Sequence, residues 1–352
     1  GEEPDQDHEA RGAGEGEQEA PATRQVQFPT DHSCPARLPM LAAYPRRRRL
    51  PVTVGRVAGG GSVQVSVEGR RLSVSNLDKA LYPDGTTKGD VIAYYSAVAP
   101  VLLPHLRRRP LTLRRWPDGT AAPGFFEKNV ARTAPDWVHQ VDLPVPGSTK
   151  DRETIRFVTV DDLPSLVWVA NLAGLELHVP QWRLDDQDRP GRPDRLVVDL
   201  DPGPPADILT CCAVARRVRE VAADAGLETW PTTSGGKGLQ LYAHLDGSMT
   251  WQEARALAQA WAEQLERTTD VVVSRMDTRL RRGKVLLDWS QNHAGKTTIS
   301  PYSLRGRELP SVATPLTWAE VEDAEDSAVL RFGPADVLAR VRDGADLLAD
   351  LA

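Results

Sequence analysis

The sequence predicts an α/β fold, and three observations predict it. The run RLVVDLDPGPP from Arg195 to Pro205 reads as a short buried strand through Leu196, Val197, Val198 and Leu200; Pro and Gly stop it just before an amphipathic helix starts at Ile208. A strand followed at once by a helix signals layered α/β packing. The alternation in SVQVSVEGRRLSVS, with Glu68 and Gly69 at its turn, describes a β-hairpin. Thr250 with Glu253 forms a capping box that opens a second amphipathic helix.

Composition bounds the function classes. With 352 residues, 40% hydrophobic and 26% charged, the chain can bury one large core or two ordinary ones. Its three cysteines, Cys34 and the adjacent Cys211 and Cys212, fit neither a zinc site nor a disulfide framework, which points to a reducing cytosol. No apolar run reaches the length of a membrane span: Val91 to Leu103 is broken by Tyr94, Tyr95, Ser96 and Pro100. No secretory signal is visible. The formal charge of −6 gives no argument for a nucleic-acid partner, but its distribution does. Residues 1 to 20 hold eight acids and one arginine, so the rest of the chain is close to neutral or slightly basic. Between Arg275 and Arg307, eight Lys or Arg stand against Asp277 and Asp288, a local positive surface around one buried acid.

Residues 1–50, acidic and then basic through Arg46 to Arg49, read as a disordered arm, and residues 51–352 as the folded domain. After the hairpin within Val52 to Val74, a polar loop carrying Asn76, Lys79 and Lys88 leads into a helix from about Gly89 to Leu103. Lysines near a helix start make a natural anion site. The strand in PLTLRRWPDG ends at Arg114 and Arg115, and GFFEKN follows. Two adjacent aromatics in an extended segment cannot both face a core, so one of Phe125 and Phe126 is expected outward, where, beside Lys128, it suits base stacking. Ile155 to Val160 reads as a strand, Pro164 to Ala173 as a short helix, and Leu175 to Val179 as a strand carrying His178.

The helix Ile208 to Ala225 has its apolar stripe at Val214, Val218, Val221 and Ala225. In TWPTTSGGKGLQLYAHL, the turn Ser234, Gly235, Gly236, Lys237, Gly238 offers backbone amides and an ammonium group to a phosphate. It is not a Walker A loop, since no Ser or Thr follows the lysine. The helix Trp251 to Arg267 buries Ala254, Leu257, Ala258, Trp261 and Leu265. The basic stretch SRMDTRLRRGKVLLDWSQN runs into a strand ending at Asp288, and KTTISPYSLRGR adds the donors Lys296, Arg305 and Arg307. Thr317 and Pro334 open two C-terminal helices.

The chemistry centres on the aspartates. Successive strand residues alternate in face, so Asp199 and Asp201 share one, with Cα atoms about 6.5 to 7 Å apart. Carboxylates that close repel and call for a cation between them. Two hard divalent ions roughly 3.5 to 4 Å apart, bridged by such carboxylates, serve phosphoryl or nucleotidyl transfer. The plain alternative is a strand end with two solvated acids. Asp288 repeats the geometry at a second strand end.

In order, DLDPG, SGGKGL, LLDWSQN and ISPYSLRGR, with NLDKALYP, GTTKGD, GFFEKN and ELHVP, resemble the polymerase domain of bacterial ligase D in the archaeo-eukaryotic primase superfamily, over about residues 70 to 320. The resemblance implies a primase-like catalytic core, α+β, with mixed or antiparallel sheets flanked by helices. It implies Asp199, Asp201 and Asp288 as catalytic ligands of two Mn²⁺ or Mg²⁺ ions. Ser234, Lys237 and Arg305 would contact the triphosphate, with Gln240 at a further nucleotide position, and Gln291 and His178 would meet the incoming nucleotide. Phe125 and Phe126, beside Lys128, would stack on the template, and Asn76, Lys79 and Lys88 would take the 5′-phosphate of a downstream strand. It further implies primer extension and gap filling at DNA breaks with nucleoside triphosphates, a preference for ribonucleotides, Ku and a DNA ligase as partners, and a cytoplasmic, nucleoid location. No Lys-x-Asp-Gly ligase core or appended nuclease is visible, so the chain resembles a stand-alone form.

One departure stands out. The family's histidine at the end of SGGKGLH is Gln240 here, and an amide cannot carry an imidazolium charge. A DNA-end or gap-binding module with weakened polymerase activity is therefore one alternative. A phosphatase of the haloacid dehalogenase type, which also starts from DxD, is another, but Gly203 stands where it expects Thr or Val.

Overall fold

The structure, a computed structural model, describes residues 52–58, 61–145, 153–343 and 346–352. The arm expected over residues 1–50 lies outside them, as does Cys34.

A five-stranded sheet carries the DxD strand at its centre. Its order is Thr229–Thr233, Leu239–His244, Arg195–Pro202, Val285–Asp288, Val272–Val273, antiparallel except for the last, parallel pair. Along Arg195–Pro202 the alternation divides the chain's labour. Leu196, Val198 and Leu200 turn into a core shared with the helices Ile208–Asp224 and Trp251–Thr268. Val197 turns to the other face, against Tyr242, Leu348 and Leu351. Asp207 caps the first of these helices, and the Thr250 and Glu253 capping box opens the second. The first helix buries Val214, Val218 and Ala222 with Cys211 and Ala215, whereas the expected Val221 is half-buried and Ala225 exposed. The reason is that the helix ends at Asp224, leaving Ala225 as its C-cap.

A second, four-stranded antiparallel sheet has the order Thr298–Ile299, Gly174–Val179, Thr112–Arg115, Phe125–Glu127. Leu113, Leu175, Leu177 and Val179 pack with Tyr95, Val98 and Leu102 of the helix Lys88–Leu106 and with Leu166 and Val169 of the helix Leu163–Asn171. The longer helix runs past the expected end at Leu103 and contains Pro100 and Pro104; its buried Leu102, His105 and Leu106 keep the last turn docked. The hairpin joins the same core through Val65, Val67, Leu72 and Val74. Its turn residues Glu68 and Gly69 have φ of 49° and 82°, the left-handed pair that a two-residue type I′ turn demands. Among the described residues no helix is long and apolar enough to cross a membrane.

Candidate active site

Strand register builds an acidic face. Asp199 lies opposite Asp288 on one neighbouring strand and opposite Gln240 on the other. Directly opposed residues of antiparallel strands project to the same side, and Asp201, two residues on, shares that side. Asp288 is 9% exposed, and its oxygens accept from Ser290 N at 3.0 Å, Ser290 Oγ at 2.5 Å and Gln291 Nε2 at 2.7 Å. Gln240 is buried between two partners: its amide donates to Asp199, and its Oε1 accepts from the Tyr242 hydroxyl at 2.8 Å. Burial, then the charges of Asp201 and Asp288, push the Asp199 carboxyl well above its ordinary range. Burial and Asp288 raise Asp201 likewise, against the pull of Arg281 and Arg305.

The face thus carries more negative charge than its surroundings compensate. Among the described residues no three acidic, His or Cys side chains are drawn together tightly enough to enclose an ion unaided. The donor set, all carboxylate oxygen on one face with proton affinity raised at Asp199 and Asp201, fits a hard divalent cation.

The Ser234 to Gly238 turn abuts this face. Ser234 N–H donates to Gly238 O at 2.9 Å, while the Ser234 hydroxyl accepts from the backbone N–H groups of Gly236 and Gly238, each at 3.3 Å. Gly235 has φ of 63°, and a Cβ there would lie 2.7 Å from Arg305 Cγ. A Cβ on Gly238 would stand 2.0 Å from Leu200 O, so only glycine lets the turn press on the DxD strand. The Arg307 guanidinium lies over Gly236, and Lys237 is exposed on the turn. Three cationic side chains therefore gather around a backbone cradle.

The aromatic pair sits differently from expectation. Phe125 and Phe126 are both outward, 46% and 59% exposed, rather than one of them. Their three-residue strand is the edge of its sheet, so neither side of it is roofed by a core. The guanidinium groups of Arg115 and Arg114 stack over the two rings at 5.5 and 5.3 Å, and Lys128 is exposed beside them. The Phe126 ring also meets His178 edge-on, with centroids 5.5 Å apart.

Glu176 is the residue the sequence reading missed. It is 1% exposed and holds His178 Nε2 at 2.9 Å, Gly306 N at 3.1 Å and Arg305 Nε at 3.3 Å. Its signal was present in ELHVP, where residues 176 and 178 of one strand must share a face. Gln240 and Gln291, expected at the nucleotide, are here bonded to the carboxylates Asp199 and Asp288.

The basic loop is tied closed by backbone hydrogen bonds. Asn76, at φ of 53°, donates its N–H to Gly61 O, Lys79 N–H donates to Asn76 O, and Lys88 N–H donates to Lys79 O at 2.9 Å. These ties bring the two lysines together. Lys88 is 6% exposed; burial, with the charges of Lys79 and Arg115, lowers its ammonium to about 8. Lys79 is half-exposed, with Asp118 3.4 Å away. Thr87 caps the helix that starts at Lys88 in a capping box with Asp90, and the first-turn amides are already bonded, so what the helix start offers an anion is its dipole and the two ammonium groups.

An acidic face, a glycine-rich turn ringed by cationic side chains and two exposed aromatic rings stand together on a fold of the primase-polymerase class. Residues 87–348 match the family described as LigD, primase-polymerase domain, and the chain belongs to that family. It is 46% identical over 283 residues to a multifunctional non-homologous end joining protein LigD of Mycolicibacterium smegmatis, covering 80% of this chain and 36% of that protein. A bifunctional LigD of Bacillus subtilis is 34% identical over 257 residues, covering 72% and 40%. The chain thus spans well under half the length of these relatives. The polymerase domain of Mycobacterium tuberculosis ligase D, solved in complex with DNA, superposes with a TM-score of 0.75 at 43% identity, covering 80% of this chain and 98% of that one.

Proposed function

We propose that the chain extends a DNA primer by template-directed nucleotidyl transfer and fills short gaps at DNA breaks, with Asp199, Asp201 and Asp288 holding two Mn²⁺ or Mg²⁺ ions. The observation that carries this is the register that sets Asp199 opposite Asp288 with Asp201 on the same face. A bound pair of such ions supplies Lewis-acid activation of the primer 3′-oxygen and of the leaving pyrophosphate. Lys237 and Arg305 spread the charge that develops on the triphosphate, and the Ser234 turn orients it. Phe125 and Phe126, flanked by Lys128, stack on template bases. Asn76, Lys79 and Lys88 take the 5′-phosphate of the downstream strand, and His178 stands at the sugar of an incoming ribonucleotide. End joining in the bacterial nucleoid, with Ku and a DNA ligase, is the setting in which such an activity belongs; the names of the relatives support the end-joining part of it.

A second reading, a DNA-end binding module with weakened polymerase activity, is favoured by Gln240. One assay separates them: primer extension on gapped and overhanging DNA with ribo- and deoxyribonucleotides, in Mn²⁺, Mg²⁺ and EDTA. Metal-dependent extension is expected, and Asp288→Ala is expected to abolish it while DNA binding, which rests on phosphate contacts elsewhere, persists. Robust extension by Asp288→Ala removes the carboxylate assignment; binding without extension by the wild type selects the second reading.

A further inference from the structure

Glu176 is buried among groups that each touch a different part of the site. His178 Nε2, Gly306 N, Arg305 Nε and, at 3.7 Å, Arg114 Nη1 converge on its carboxylate. Arg114 in turn lies over the Phe126 ring, and that ring meets the His178 edge. An ionised carboxylate only accepts hydrogen bonds, so the ring nitrogen facing it must be the one that carries hydrogen. Although burial pushes Glu176 upward, the His178 hydrogen bond, the Arg305 charge and the Gly306 N–H outweigh it and hold it at about 2. Burial also lowers His178, which favours neutral imidazole over imidazolium.

A neutral imidazole with its proton on Nε2 has a bare lone pair on Nδ1. Nδ1 of His178 has no hydrogen-bond partner among the described residues and is not sealed from solvent. Such an acceptor takes a hydrogen bond from a hydroxyl and gains nothing from a C–H. We infer that Glu176 is a positioning residue that holds the His178 proton on Nε2 and thereby makes Nδ1 an acceptor selecting ribose over deoxyribose. The inference rests on the reading that places His178 at the sugar of the incoming nucleotide.

The first test needs no variant. In long-range ¹⁵N–¹H spectra of the histidine-labelled protein near neutral pH, His178 is expected as the neutral Nε2–H tautomer; a neutral Nδ1–H tautomer or an imidazolium overturns the inference. The second test is the ratio of kcat/KM for ATP over dATP. In Glu176→Gln a single amide oxygen replaces the carboxylate pair that accepts from His178 Nε2 and Gly306 N and faces the charges of Arg305 and Arg114, and the ratio is expected to fall about tenfold, the size of one lost hydrogen bond to a sugar hydroxyl. Weaker fixing of Arg305 lowers both nucleotides alike and cancels in the ratio. Adding Glu176→Gln to His178→Ala is expected to lower the ratio no further, since the effect runs through one ring. A ratio unchanged by Glu176→Gln but lowered by His178→Ala refutes the role of Glu176. A wild-type ratio near one refutes the placement at the sugar and the inference with it, so the two failures look different.

Discussion

Replacing Asp199 with asparagine should stabilise the metal-free protein while destroying its activity. Asp199 faces Asp288 across the strand pair and shares its side with Asp201. Cross-strand neighbours hold their Cβ atoms about 5 Å apart, and at an effective dielectric near 20 two charges at that distance repel by roughly 3 kcal/mol. Arg305 offsets part of this, leaving a net relief of about 2 kcal/mol on neutralisation. Asparagine keeps the shape, and its oxygen still accepts from Gln240. The sign follows from the raised carboxyl: ionised Asp199 destabilises the fold at every pH above its folded pKa, and the penalty lifts as pH falls through that value. The variant removes the penalty throughout.

At about 2–4 °C per kcal/mol, Asp199→Asn should melt roughly 4–8 °C higher than wild type in EDTA near neutral pH. Manganese should reverse the order. A ligand of the native state at about 100 times its Kd adds roughly 2.7 kcal/mol, a gain expected for the wild type and lost in the variant. Calorimetry with and without Mn²⁺, alongside primer extension, measures both. An Asp199→Asn protein that melts below wild type in EDTA, or that gains as much from Mn²⁺, would refute the uncompensated acidic face.

On gapped DNA, a 5′-phosphate should tighten binding at least about tenfold over a 5′-hydroxyl through charge-assisted hydrogen bonds to Lys79 and Lys88, and Lys79→Ala with Lys88→Ala should erase the difference while sparing open-template extension; equal affinities and salt slopes for both ends in the wild type would sink the site. Because burial depresses Lys88 to about 8, its charge is present below that value and lost above it, so the 5′-phosphate advantage should decline from pH 7 to about 9 in wild type but stay level in Lys88→Arg. The same shift makes protonated Lys88 a destabilising group whose penalty is full below about 8 and fades as pH rises toward about 10.4, which urea titrations of Lys88→Met against wild type can follow. Gln240→His keeps a donor for Asp199 and an acceptor for Tyr242, so extension should hold or rise, chiefly through nucleotide affinity; a folded variant with much lower activity would show a site rebuilt around glutamine.

Local signals were legible in the sequence because they depend on short spacing. Alternation marked the hairpin and the DxD strand, Thr250 with Glu253 marked a helix start, and the polar loop marked the approach to the helix at Lys88. Asp199, Asp201 and Asp288 could be singled out because each closes an apolar run. Only the tertiary structure decided how these pieces meet. Register between strands far apart in the chain set Gln240 and Asp288 on either side of Asp199 and committed the glutamine amide to a carboxylate. Sheet order left the Phe125 and Phe126 strand at an edge, which exposed both rings where alternation alone exposes one. Glu176 acquired its importance from Gly306 and Arg305, about 130 positions away, which meet its buried carboxylate. Periodicity encodes which side of a strand a residue occupies, but the partner on that side is chosen by packing between distant segments, and no short window of sequence contains it.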